Sequence, residues 1–148
     1  IWSCFVKKKI VEKDERESNL RKTLNLGHTF GHAYEAAAGL NKRLNHGEGV
    51  ILGIKSAIKF SLNEKILSLN DYNIINNHIK KLGFNLNLKL YFKLNNIDRI
   101  VSFMINDKKN ISSKINLVLL KGIGNPIINK KYSSIKIRKF LKKELINL

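Results

Sequence analysis

The sequence predicts a mainly α-helical domain with one small β-hairpin or strand. Three observations predict it. Apolar residues recur at three- and four-residue spacing over most of the chain. One stretch alternates instead: Ile115, Leu117 and Leu119, followed by the turn residues Gly122-Ile123-Gly124-Asn125-Pro126. No dinucleotide fingerprint interrupts this pattern, because Gly122-Ile123-Gly124 lacks a third glycine and a strand–helix–strand context. A chain of 148 residues, 43% of them hydrophobic, can bury one core, and positions 1–148 read as one domain.

The elements follow in order. Trp2, Val6 and Ile10 mark an opening amphipathic helix that ends near the charged run Glu12 to Glu17. Ser18-Asn19 favours a break. The next helix carries Arg21, Asn25, His28 and His32 along one stripe and ends at Gly39, a residue suited to the position after a helix. Asn41 to Asn45 is a polar connection. His46 then opens a segment in which Val50, Ile51, Ile54, Ala57, Ile58 and Ser61 keep helical spacing. Asp71 caps a helix with Ile75, Ile79 and Leu82 inward, stopped by Gly83. Asn85 to Leu94 gives no clear element. Asn95 or Asn96 starts a helix with Ile97, Ile100, Val101, Met104 and Ile105 on one side. Ile137, Phe140, Leu141, Leu145 and Leu148 make the last one. There is no internal repeat.

Net charge is +17, which in general raises nucleic-acid binding. Here the basic residues are mostly lysine, spread along the chain among many asparagines and isoleucines. Arginine clusters, zinc-finger spacing and aromatic RNA-binding signatures are all missing, so no nucleic-acid partner is expected. No run is long and apolar enough to span a bilayer, and no membrane partner is expected. A single cysteine, Cys4, rules out an internal disulfide and fits a reducing, cytoplasmic location. Ile1-Trp2-Ser3-Cys4-Phe5-Val6 followed by lysines is the wrong order for a signal peptide. The first residue is Ile, so the chain reads as a fragment.

The densest chemistry lies in Arg21-Lys-Thr-Leu-Asn25-Leu-Gly27-His28-Thr-Phe-Gly31-His32-Ala-Tyr-Glu35, with His46-Gly47-Glu48 behind it. His28 and His32 are four apart and project from one helical face. A polar stripe among Leu24, Leu26, Phe30, Ala33 and Ala36 to Ala38 suggests an inward-facing site for a metal, an anion or both. A catalytic zinc takes three protein ligands and keeps an open position. His28 with His46, or His28 with His32, supplies two. Glu35 and Glu48 are candidates for the third, although Glu35 lies one turn beyond His32 and could orient it instead. Thr29 stands where a zinc protease carries its glutamate, so that motif does not apply. His78, outside the cluster, reads as an ordinary hydrogen-bonded residue. Gly27 and Gly31 inside a helix each cost about 1 kcal/mol relative to alanine. Close helix packing or a ligand on that face would account for them.

The run Arg-x-x-Leu-Asn-x-Gly-His-Thr-Phe-Gly-His-Ala-x-Glu followed by His-Gly-Glu closely resembles the C-terminal signature of the 3-dehydroquinate synthase family. Lys7…Val11…Asp14-Glu15-Arg16-Glu17…Leu20-Arg21 and Asn106-Asp107-Lys108-Lys109-Asn110 match the same family in order. The related sugar-phosphate cyclases share much of the pattern. The resemblance implies a helical domain that follows an N-terminal NAD-binding domain, the latter absent from this chain. It implies NAD and a divalent metal, zinc or cobalt, as cofactors. By position, His28 and His46 resemble two metal ligands, the third being a glutamate of the N-terminal domain. His32 resembles the proton-relay histidine and Glu17 its carboxylate partner. Lys7, Arg21 and Asn25 match substrate-binding positions, and Lys109, preferred over its neighbour Lys108, resembles a lysine near the substrate phosphate. The implied substrate is a phosphorylated sugar acid, 3-deoxy-D-arabino-heptulosonate 7-phosphate. It is converted to 3-dehydroquinate and phosphate in the second step of the shikimate pathway, by a cytoplasmic homodimer. Two departures stand out: Asn19 replaces a glycine, and Gly49 replaces an alanine without touching a proposed ligand. The other reading of the chain is a free-standing helical metal- or anion-binding module without catalysis.

Overall fold

The computed structural model describes residues 2–16, 18–39, 44–84, 86–106 and 114–146. Among them lie six α-helices and one hairpin: α1 (Trp2–Lys13), α2 (His28–Ala38), α3 (His46–Asn63), α4 (Leu69–Lys81), α5 (Ile97–Asn106), β1 (Lys114–Gly122), β2 (Asn125–Ser133) and α6 (Ser134–Ile146). The expected fold class is therefore the observed one.

The core sits where α2, α3, α5 and α6 meet, with β1 laid against them. Phe30 of α2, Phe60 of α3 and Phe140 of α6 form its aromatic centre, with ring centroids 5.1 to 6.3 Å apart. Edge-on and tilted contacts of this kind suit the ring quadrupoles. α5 adds Ile97, Ile100, Val101 and Met104, the face its spacing predicts. Ile115, Leu117 and Leu119 of β1 point inward and are fully buried or nearly so. β2 pairs antiparallel with β1, Ile115 opposite Tyr132 and Leu119 opposite Ile127, across the Ile123-Gly124 turn. Its own residues are half-buried or exposed, which is why it lacks the alternation of its partner. Ser61, wholly buried, ties helix to hairpin: its hydroxyl donates to Ala57 O at 2.8 Å and accepts from Leu120 N at 3.1 Å.

Several expected boundaries shift. The helix from Ser18 to Gly39 is two pieces, a 3-10 turn over Leu20–Asn25 and then α2, separated at Gly27, whose φ is 79°. Only glycine takes that conformation without strain, so the helical spacing of Arg21 and Asn25 does not continue into α2. Ser68, not Asp71, caps α4, its hydroxyl accepting from Asp71 N at 3.0 Å. Leu82, expected inward, is 58% exposed because α4 has ended at Lys81. Within the stretch unassigned from sequence, a 3-10 turn over Leu88–Leu90 buries Leu88, buried Phe92 follows, and a second 3-10 turn, Leu94–Asn96, leads into α5. On α1, Val6 is 49% exposed, and among the described side chains only Ile10 and Val11 give the helix a partly buried side; the Trp2 side chain lies outside them.

Candidate functional site

The site is built on the contact between α2 and α3. Four glycines make that contact. A Cβ on Gly31 would lie 2.8 Å from Gly49 O, and one on Gly53 would lie 2.6 Å from Gly31 N. Neither distance leaves room for a side chain, so the two helices touch backbone to backbone. This answers the glycine question in favour of close packing, and it corrects the place of Gly27. That residue precedes α2, and its Cα side packs on Gly53 and Ile54.

The close approach brings three imidazoles together. His28 and His32 stand one turn apart on α2, and His46 is the first residue of α3. The His28 and His32 ring centroids are 5.3 Å apart, edge to face. His32 and His46 are 6.4 Å apart and nearly parallel. The expected inward orientation is not observed. α2 gives its apolar side, Phe30, Ala33, Tyr34 and Ala37, to the core, and the histidines emerge on the other side. His28 is half-buried, while His32 and His46 are exposed.

The two glutamates have other partners than those expected. Glu35 reaches His46, not His32: its Oε1 lies 2.9 Å from His46 Nδ1. Gly49, one turn into α3, makes room for it, since a Cβ there would meet Glu35 Oε1 at 2.6 Å. The departure at Gly49 thus bears on a proposed ligand through Glu35. Glu48 belongs to a helix cap. Asn45 Oδ1 accepts from Glu48 N at 2.9 Å, and Glu48 Oε2 accepts from Asn45 N at 3.0 Å, a reciprocal capping box.

A bound metal needs a lone pair from each imidazole. A carboxylate accepts, so His46 carries its hydrogen on Nδ1 and its lone pair on Nε2. His28 Nδ1 faces Leu26 O at 3.4 Å, the arrangement that likewise puts the lone pair on Nε2. A carboxylate and a backbone carbonyl are the partners a metal-binding histidine characteristically has. Among the described residues no group of three or more His, Cys, Asp or Glu side chains is placed to hold a metal. The donor set fits a metal in kind and falls short in number.

Arg21 is held in the 3-10 turn by a residue the sequence did not single out. The Asp14 carboxylate accepts from Ser18 N and Ser18 Oγ at 2.8 Å each, from Asn19 N at 2.8 Å and from Arg21 N at 3.0 Å. These bonds, that of Arg21 foremost, hold its carboxyl well below the usual carboxylate range against a smaller opposing effect of burial. Arg21 Nη1 donates to Glu15 O at 3.0 Å. The signal for this turn was Asp14 four residues before Ser18, a short side chain able to collect following amides. Asn25 is half-buried at the end of the 3-10 turn, and Lys7 is exposed on α1, which packs on that turn. Glu17, Lys108 and Lys109 lie outside the described residues. His78 is exposed in the last turn of α4.

A family model described as "3-dehydroquinate synthase C-terminal" matches residues 1–110. A 3-dehydroquinate synthase of Pelagibacter ubique is 48% identical over 143 residues, covering 97% of this chain and 39% of the relative. One from Rhodopseudomonas palustris is 38% identical over 148 residues, with the same two coverages of 97% and 39%. The chain thus spans about 39% of the length of these curated relatives. A solved structure of 2-deoxy-scyllo-inosose synthase, complexed with carbaglucose-6-phosphate, NAD+ and Co2+, matches with a TM-score of 0.77 at 22% identity. It covers 93% of this chain and 38% of that one, a likeness of fold. Among the described residues no helix is long and apolar enough to cross a membrane.

Proposed function

This chain belongs to the 3-dehydroquinate synthase family, whose C-terminal part it matches, and we propose that the intact protein converts 3-deoxy-D-arabino-heptulosonate 7-phosphate to 3-dehydroquinate and phosphate. The observation that carries this reading is the meeting of His28, His32 and His46 on one face of the α2–α3 contact. The similarity of nearly the whole chain to proteins of that name supports it.

His28 and His46 are assigned to a divalent metal, zinc or cobalt, through Nε2, with a third donor from outside this chain. Such an ion supplies Lewis acidity toward a hydroxyl or carbonyl oxygen, and NAD supplies reversible hydride removal. Everything else falls to side chains. Arg21, Lys7 and Lys109 offer cations for a carboxylate and a phosphate, with the guanidinium suited to two-point contact. Asn25 adds a neutral donor and acceptor. His32, exposed between the other two rings, is assigned to proton transfer, with Glu17 as its carboxylate partner. The NAD-binding residues are assigned to the preceding part of the protein, and the whole to a cytoplasmic homodimer. A sister cyclase is the second reading, favoured by the fold likeness to 2-deoxy-scyllo-inosose synthase. The higher identity to 3-dehydroquinate synthases argues for the first.

The test is to incubate the intact protein with the heptulosonate phosphate, NAD and zinc, and follow both phosphate and product. Release of phosphate with formation of 3-dehydroquinate is the expected result. A different carbocycle would select the sister reading, and no phosphate release would overturn both.

A further inference from the structure

α3 has a second functional side. Its glycine stripe faces α2 and is continued by Ser56, whose hydroxyl lies 2.7 Å from that of Tyr34 on α2, whereas Leu52, Lys55 and Lys59 lie at helical spacing on another side. Between that side, α4 and residues 86–88 lies a cavity of about 280 Å³. Three ammonium-bearing side chains border it, Lys55, Lys59 and Lys80, against one carboxylate, Glu144.

The cations are held but not neutralised. The Lys55 ammonium donates to Leu86 O. Lys59 sits with its nitrogen 5.0 Å from the centre of the Tyr72 ring. An ammonium has three donors, so each retains capacity toward the cavity. Burial first, and Lys80 second, push the Lys55 ammonium below its ordinary range, which registers positive charge crowded in partly dry surroundings. Burial pushes the Glu144 carboxyl up against the pull of Lys59, Lys143 and Lys89, and this one carboxylate faces three ammonium groups around the cavity. The amide of Asn76 also borders the space, and so does that of Asn87, whose Oδ1 already accepts from Lys89 N at 3.1 Å. That bond leaves the Asn87 NH₂ as a donor. Leu52 and Leu88 supply apolar wall.

We infer that this cavity binds a small phosphorylated metabolite, its phosphate between Lys55 and Lys80 and its carbon part against Leu52 and Leu88. At about 280 Å³ the cavity falls just below the roughly 300 Å³ at which drug-sized ligand pockets begin, so it suits a short phosphate monoester better than a nucleotide. The site is separate from the histidine cluster and does not depend on the activity assigned there.

Hydrogen exchange on the intact protein tests it, with glycerol 3-phosphate as probe and glycerol as the uncharged control. Saturable slowing of exchange is expected in 52–59 and 72–88, with none from glycerol. Lys55→Met and Lys80→Met should each weaken the response about tenfold, the effect of one lost charge-assisted hydrogen bond. Lys142→Met, exposed on α6 and not among the residues that line the cavity, should behave as wild type. Lys80 is exposed, so its variant keeps the fold even where Lys55→Met does not. Slowing confined to 20–46, equal weakening by Lys142→Met, or failure to saturate would overturn the assignment.

Discussion

At the scale of single residues, the deciding contact is that of Glu35 with His46. It fixes which ring nitrogen carries the hydrogen and aims the other. Loss of such a partner typically lowers metal affinity by about 10- to 100-fold. In the intact protein Glu35→Ala should therefore weaken zinc or cobalt binding by at least about tenfold, and Glu35→Gln, which retains an acceptor, by less. Competition with a chromophoric chelator measures this, and an unchanged affinity would remove Glu35 from the site. His28→Ala should lower metal content outright, whereas His32→Ala should spare metal and slow turnover. Elemental analysis beside single-turnover rates separates them, and equal metal loss in both would refute the division of roles. Asp14 makes a third case. Its depressed carboxyl contributes stability that is complete above the unfolded carboxylate range and is lost as acid titrates the folded group. Asp14→Asn should speed exchange of the Ser18, Asn19 and Arg21 amides at neutral pH. The difference from wild type should close in strong acid, and a pH-independent difference would argue against the charge.

At the scale of elements, the α2–α3 seam decides whether a site exists at all. The helices approach closely only because Gly31, Gly49 and Gly53 present no side chain. Gly53→Ala would drive a methyl into the backbone of Gly31, an overpacking that costs about 3 kcal/mol. A drop in the denaturation midpoint, with the histidine cluster loosened, is the expected result, and wild-type stability would show that the helices can part. Ser61→Ala should cost about 1–3 kcal/mol by leaving the Leu120 amide without its buried acceptor. Much of this was legible. Periodicity located α3, α5 and α6, alternation located β1, and the histidine spacing located the cluster. What escaped depends on tertiary context. The break at Gly27 follows from a packing demand made by α3 and written nowhere in the local pattern. β2 shows no alternation, its half-buried residues being Pro126, Ile127, Ile128 and Tyr132, so its pairing with β1 defines it more than its own residues do. The histidines read as inward because their neighbours are apolar, yet those neighbours occupy the opposite face of the helix. The Glu35–His46 contact spans eleven residues and two helices, and only the seam brings its ends together.

At the scale of the whole molecule, the question is what a net charge of +17 does. Among the described residues the lysines are distributed over α1, α3, α4, both strands and α6 and are not gathered on one element. At physiological ionic strength the Debye length is about 8 Å, so charges on separate elements act nearly independently on an extended polyanion. Such a surface attracts DNA by counterion release alone, an attraction that falls by orders of magnitude between about 50 and 200 mM salt. Concentrated pockets of charge behave differently, because a small anion enclosed by several cations is screened far less. The protein should therefore bind a short duplex weakly at low salt, without sequence preference, and release it at physiological salt. Binding of glycerol 3-phosphate should survive the same salt increase. Fluorescence anisotropy for the duplex and hydrogen exchange for the monoester measure the two side by side. A sequence-selective complex that persisted at physiological salt would give the charge a nucleic-acid role, and parallel loss of both ligands would make all of the charge diffuse.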